Sequence, residues 1–166
     1  MNSSVTSDFH GTGDAGTRSQ LGALCWRMHR GKVEVLLITS RDTGRWVIPK
    51  GWPMAGLDAA GAAAREAWEE AGVTGETMAE AVGLYGYDKM VKDKPCLPCV
   101  VSVYPLRVDQ LAAKFPERKE RRRKWFAAEK AAKKVAEPEL RALLQRLAED
   151  PAPLHPAVAE APVASA

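Results

Sequence analysis

The chain has 166 residues, 46% of them hydrophobic, and a formal net charge of +3. That is enough apolar chain for one domain with a real core and too little for two ordinary domains. So mild a charge does not by itself call for nucleic acid. No apolar run is long enough to span a bilayer and no signal-peptide hydrophobic region opens the chain, which predicts a cytoplasmic protein. Cys25, Cys96 and Cys99 fit that compartment as an odd set of buried thiols in apolar sequence, rather than a disulfide framework.

In chain order, residues 1–17 are rich in Ser, Thr, Gly and Asp without any period, and are expected to form a loose leader to a domain spanning 18–149. Gln20 to Met28 and the β-branched Val33 to Thr39 predict two strands joined by a turn at His29–Lys32. Arg45 to Ile48 predicts a short third strand ending at Pro49. Next come a Gly/Pro-rich loop and an Ala-rich helix, with Asp58 as N-cap and Gly72 just past the end. Val82 to Met90 and Cys96 to Val108 predict two more strands, with Pro98 marking an edge, a bulge or a late start. Arg121 to Phe126 predicts a last short strand. Two helices follow, Ala127 to Val135 and Glu139 to Ala148, the second with a stripe of Leu140, Leu143, Leu144 and Leu147. The Pro/Ala-rich tail, residues 150–166, is expected to be disordered. Strands on both sides of a central helix, with helices closing the chain, give an α/β (α+β) layered domain with a mixed sheet.

The chemistry concentrates on the central helix. Glu66, Glu69 and Glu70 stand at i, i+3 and i+4, so their carboxylates crowd one face and repel one another. Hard oxygen donors beside a glycine loop suit Mg²⁺, which takes a few carboxylates together with water and phosphate oxygens. Such an ion neutralises diphosphate charge and lowers the pKa of a water that attacks phosphorus. Around the helix lie Arg18, Ser40, Arg41, Arg45, Lys50, Lys89, Lys92, Lys94 and the run Arg118 to Lys124, which together are able to pair with a dense polyanion. No histidine is placed for catalysis. The basic run lacks the interleaved aromatics and glycines of an RNA-reading module.

The pattern G-x5-E-x7-R-E-U-x-E-E-x-G-U, with U apolar, defines the Nudix hydrolases, and this chain resembles it closely. Gly51, Arg65, Glu66, Glu69, Glu70 and Gly72 match, and Ala67 and Val73 fill the apolar slots. Leu57 departs, standing where the family has Glu. The resemblance implies an α-β-α sandwich and a phosphoanhydride hydrolase that uses Mg²⁺, with Mn²⁺ as a substitute. Glu66, Glu70 and the backbone carbonyl of Lys50 would be its metal ligands. Glu69 would be a further ligand or the base, and Arg65 a brace for the catalytic carboxylates or, alternatively, a direct phosphate contact. The base stays open between Glu66, Glu69 and an acidic residue outside the motif.

The stretches Val35–Arg41, Arg45–Gly51 and Arg121–Phe126 further resemble the diphosphoinositol polyphosphate phosphohydrolase branch, over roughly residues 19–147. That likeness implies diphosphoinositol polyphosphates or dinucleoside polyphosphates as substrate, bound by Ser40, Arg41, Lys50 and Arg122 or Arg123. Trp52-Pro53-Met54 departs from the glycines common in that branch. Alternatives are a nucleoside diphosphate derivative, the 5′ end of RNA, or a catalytically idle domain that binds a ligand as a sensor.

Overall fold

Strict alternation in two neighbouring strands sets the architecture of this protein, whose computed structural model describes residues 16–159. In β1 (Arg18–His29), Leu21, Ala23 and Cys25 join one apolar cluster while Leu24 and Trp26 join another. In β2 (Lys32–Thr39), Leu36 and Ile38 face the first cluster, Val35 and Leu37 the second. Strands apolar on both faces must be covered from both sides. The first cover is α1 (Ala59–Ala71), packed through Ala62, Ala63, Ala67 and Ala71, whose small side chains let helix and sheet approach closely. The second is α2 (Ala128–Lys134) with α3 (Pro138–Glu149), packed through Ala131, Ala132 and the leucine stripe expected from the sequence. The result is the expected three-layer arrangement.

Between the layers lies an eight-stranded sheet that also contains β3 (Trp46–Val47), β4 (Lys50–Gly51), β5 (Val73–Thr77), β6 (Gly83–Lys89), β7 (Leu97–Leu111) and β8 (Arg123–Ala127). Its path is β3-β2-β1-β7-β5, with β4 on β1, β6 on β7 and β8 on β2. β1 and β7 run parallel, whereas β2 and β6 pair antiparallel with them, so the sheet is mixed. β7 serves two partners in turn. Its residues up to Val103 pair with β6, and those from Leu106 onward pair with β5. Pro98 lies at the second residue of β7, a late start rather than a break.

Three details differ from the sequence expectations. β4 and β5 were not expected; the first is two residues long, and the second carries glycine and a bulge between Thr74 and Gly75, so neither shows a readable alternation. Cys96 is exposed rather than buried, because it precedes β7, while Cys25 and Cys99 are buried. The chain from residue 150 is not loose through Ala159. A 3-10 turn (Ala152–Leu154) and α4 (Pro156–Ala159) follow α3, and Leu154 is fully buried in the core. His155 Nε2 lies 3.0 Å from Glu76 Oε1. One leucine in Pro-rich sequence has no period to betray its burial. The expected leader up to residue 15 and the tail from residue 160 lie outside the described residues.

Candidate active site

Capping sets the phase of α1 and hence the aim of its carboxylates. Asp58 Oδ1 accepts a hydrogen bond from Gly61 N at 2.8 Å, fixing the first turn. At the other end Gly72 adopts the left-handed conformation, φ 69°, as a C-terminal glycine should. Within this frame Glu66 and Glu70, one turn apart, are both buried against the sheet. Glu69, one step of about 100° from Glu70, turns outward and meets Arg65 Nε at 3.4 Å. The three carboxylates therefore do not converge, and among the described residues no three carboxylate, thiol or imidazole groups form a ready ligand set. Of the motif carboxylates Arg65 contacts Glu69, and its side chain is 60% exposed. Leu57 is 47% exposed, so the departure at this position leaves the core untouched.

Gly51 has a direct steric reason. A Cβ there would collide with the Glu66 carboxylate, which lies over the β4 backbone. Lys50 N, on the same strand, donates to Glu70 Oε1 at 3.3 Å. Burial pushes the Glu66 carboxyl up to about 7, helped by the charges of Glu70, Glu69 and Glu117. Burial likewise raises Glu70 to about 7, against the opposing pull of Arg121 and Lys50. Burial lowers the Lys50 ammonium, while Glu70 and Glu137 oppose the drop. Two carboxylates whose proton affinity burial raises to the neutral range are short of positive charge. Their hard oxygens fit Mg²⁺ or Mn²⁺, and a divalent cation would supply the missing charge.

The remaining positive charge comes from the connection between β7 and β8. Arg121 is buried, with Nε 2.8 Å from Glu117 Oε1, Nη2 3.7 Å from Glu70 Oε2 and Nη1 donating to Thr39 O at 3.1 Å. Sequence reasoning assigned substrate contact to Arg122 or Arg123; of these three arginines it is Arg121 that lines the cavity, held there by Glu117, Glu70 and Thr39. Arg121, Arg123 and Trp125 face α1, whereas Arg122, Lys124 and Phe126 face the other way. Arg123 is tied to the end of α1, donating to Ala71 O at 2.6 Å and Ala112 O at 2.8 Å. Arg122 is exposed and lies over the Trp46 ring.

These groups border one cavity of about 270 Å³. Glu66, Glu70, Lys50 and Gly51 form one part of its wall, Ser40, Arg41 and Arg45 another, and Lys89 with Trp52 line it further. Ser40 Oγ accepts from Asp42 N and Thr43 N at 3.3 and 3.4 Å, so it shapes the loop that presents Arg41. Lining carboxylates that escaped the sequence reading include Glu117 and Glu137. Each is a single acidic residue in irregular sequence, and only the fold brings it to the motif.

Fold and site together define a class. The sequence signature of the NUDIX domain matches residues 18–147, and the chain belongs to the Nudix hydrolase family. It is 31% identical over 120 residues to human diphosphoinositol polyphosphate phosphohydrolase 3-alpha, covering 71% of this chain and 69% of that protein. It is 34% identical over 125 residues to Nudix hydrolase 21, chloroplastic, of Arabidopsis thaliana, covering 70% and 59%. Among solved structures it resembles a C. elegans Ap4A hydrolase binary complex, with TM-score 0.56 and 26% identity over 81% of this chain and 98% of that one.

Proposed function

We propose that this Nudix hydrolase cleaves a phosphoanhydride bond in a highly phosphorylated small molecule, a diphosphoinositol polyphosphate or a dinucleoside polyphosphate, with water attacking phosphorus. The observation that carries the reading is the pair of buried carboxylates, Glu66 and Glu70, lining a cavity that also holds Arg41, Arg45, Lys50, Lys89 and Arg121. A charge-poor carboxylate pair suits a divalent cation, and the surrounding cations suit phosphates. Relatives named for diphosphoinositol polyphosphates and for Ap4A support the substrate class.

Glu66, Glu70 and the Lys50 carbonyl would hold Mg²⁺ or Mn²⁺, with Glu69 within reach only if it leaves Arg65. When bound, the ion supplies positive charge to the phosphates and acidifies water. The protein's own groups do the rest. Arg121 holds Glu70 and Glu117 in place, and Ser40 shapes the loop from which Arg41 reaches the phosphate chain. Glu66, with its proton affinity raised into the neutral range, and Glu117 are the groups able to take a proton from the attacking water. Three free thiols, Cys25, Cys96 and Cys99, fit action in the cytoplasm.

The test is turnover with Mg²⁺ across diadenosine polyphosphates, diphosphoinositol polyphosphates, ADP-ribose and 5′-triphosphorylated RNA. Phosphate release from the first two groups is expected, with loss on adding a chelator. Release from none of them would leave only a ligand-binding domain.

A further inference from the structure

Glu137 is a buried carboxylate lining this cavity, and one of its two oxygens has no hydrogen-bond partner. It occupies the N-cap position of α3, yet its side chain makes no capping hydrogen bond. The residue is 8% exposed, it lines the cavity, and its Oε1 has no hydrogen-bond partner. Leaving a buried acceptor unsatisfied costs free energy, so a retained one requires an explanation. Its surroundings are fixed by α3 docking on β6, where Gly86 N donates to Glu139 Oε1 at 2.8 Å. Beside that contact, Tyr87 donates its hydroxyl to Gln20 Oε1 at 2.6 Å, and the Lys50 ammonium lies 4.9 Å from the Tyr87 ring centroid. Lys50 and the buried Tyr85 both feel the Glu137 charge. This corner thus offers an unpaired carboxylate oxygen beside the Lys50 ammonium, unlike the wall formed by Arg41 and Arg45.

A phosphate placed in that corner would meet a carboxylate with which it shares a charge sign. A neutral N–H or O–H group would meet a waiting acceptor. Resting on the phosphoanhydride reading above, we infer that Glu137 makes the cavity select a polyphosphate ending in a nucleoside over one whose whole periphery is phosphate. The donor is a ribose hydroxyl or a base amine. A site built to accept a hydrogen bond discriminates against ligands that lack the donor, because its buried acceptor is then left unpaired.

The experiment compares the protein with Glu137→Gln and Glu137→Lys on diadenosine tetraphosphate and on a fully substituted diphosphoinositol pentakisphosphate. The unaltered protein is expected to have the higher kcat/KM on the dinucleotide. Glu137→Lys is expected to shift the ratio toward the inositol compound by about tenfold or more, and Glu137→Gln, nearly isosteric, by less in the same direction. A preference for the inositol compound in the unaltered protein, or a ratio unmoved by Glu137→Lys in a folded variant, overturns the inference and leaves the proposed activity standing. Dinucleotides lacking the ribose hydroxyls or the 6-amino group locate the donor; an unchanged KM for both also overturns it. Calorimetric binding of inositol hexakisphosphate and of a non-hydrolysable diadenosine tetraphosphate, without added metal, gives the same comparison without catalysis. A Glu137-dependent binding preference in a protein that cleaves neither substrate would sustain the selectivity and sink the hydrolytic reading.

Discussion

Glu66 and Glu70 reach the cavity from a helix in which each polar position has a local cause, whereas Glu117 and Arg121 reach it from a connection with almost no regular structure. On α1 the cap at Asp58, the helical period and the glycine at 72 decide which carboxylates turn inward. Between β7 and β8 nothing local decides. There Arg121 is positioned by Glu117, Glu70 and Thr39, three residues of which two are distant in sequence. The helix concentrates negative charge, and the connection supplies only part of the positive charge that would balance it. Burial, incompletely offset by that charge, holds the carboxylates up near 7. A site in that state is poised for a cation from outside.

The comparison breaks first at the carboxylates. Glu66→Gln or Glu70→Gln is expected to lower kcat by at least roughly a hundredfold, as loss of a charge-placing group at a reacting phosphate does. Circular dichroism should remain that of the parent, and the melting temperature should hold or rise, since each change removes a poorly balanced buried charge. Retained turnover in both variants would remove these residues from the site.

A second outcome concerns pH in metal-free protein. A carboxyl at its ordinary 4.5 in the unfolded chain and about 7 in the folded one binds its proton more tightly when folded. Between those values the folded state carries more protons, so stability falls as pH rises through that window and levels off above about 7. Denaturant melts at pH 5 and pH 8 should show a loss on the order of a few kcal/mol. Adding Mg²⁺ at pH 8 should restore much of it. A flat profile would mean that the pair is already neutralised by the protein.

The arginines sharpen the contrast further. Arg121→Ala leaves Glu70 and Glu117 without their buried partner and is expected to cost roughly 3 kcal/mol, with a fall in kcat. Arg123→Ala removes two hydrogen bonds, one to the end of α1 and one to Ala112 just past β7, and should cost about 1–3 kcal/mol in thermal unfolding, with kcat of the folded protein retained. Arg122→Ala, at an exposed position, should change stability by less than about 0.5 kcal/mol and KM little. Equal effects from all three would contradict the placing of Arg121 in the cavity wall, Arg123 at the end of α1 and Arg122 at the surface.

Much of this was legible in the chain. The capped helix from Asp58 to Gly72, the leucine stripe of α3 and the first two strands follow from local patterns, as does a layered α/β domain with a mixed sheet, while the three-layer sandwich was implied by the family resemblance. Alternation on β8 was readable in principle from Trp125 and Phe126 lying in opposite clusters, but not which face belonged to α1. Leu154 was missed because one apolar residue has no period.

By itself, then, the sequence determined which residues share a helix face and which glycines and caps bound it, because those are matters of neighbours three and four residues apart. It did not determine that Glu69 leaves the cavity to Arg65, that Arg121 rather than Arg122 or Arg123 enters it, or that Glu117 and Glu137 complete its wall. Those facts depend on how β7, β8 and α3 pack around the motif. Burial, which raises the carboxylates and leaves Glu137 Oε1 without a hydrogen-bond partner, exists only once the layers have closed.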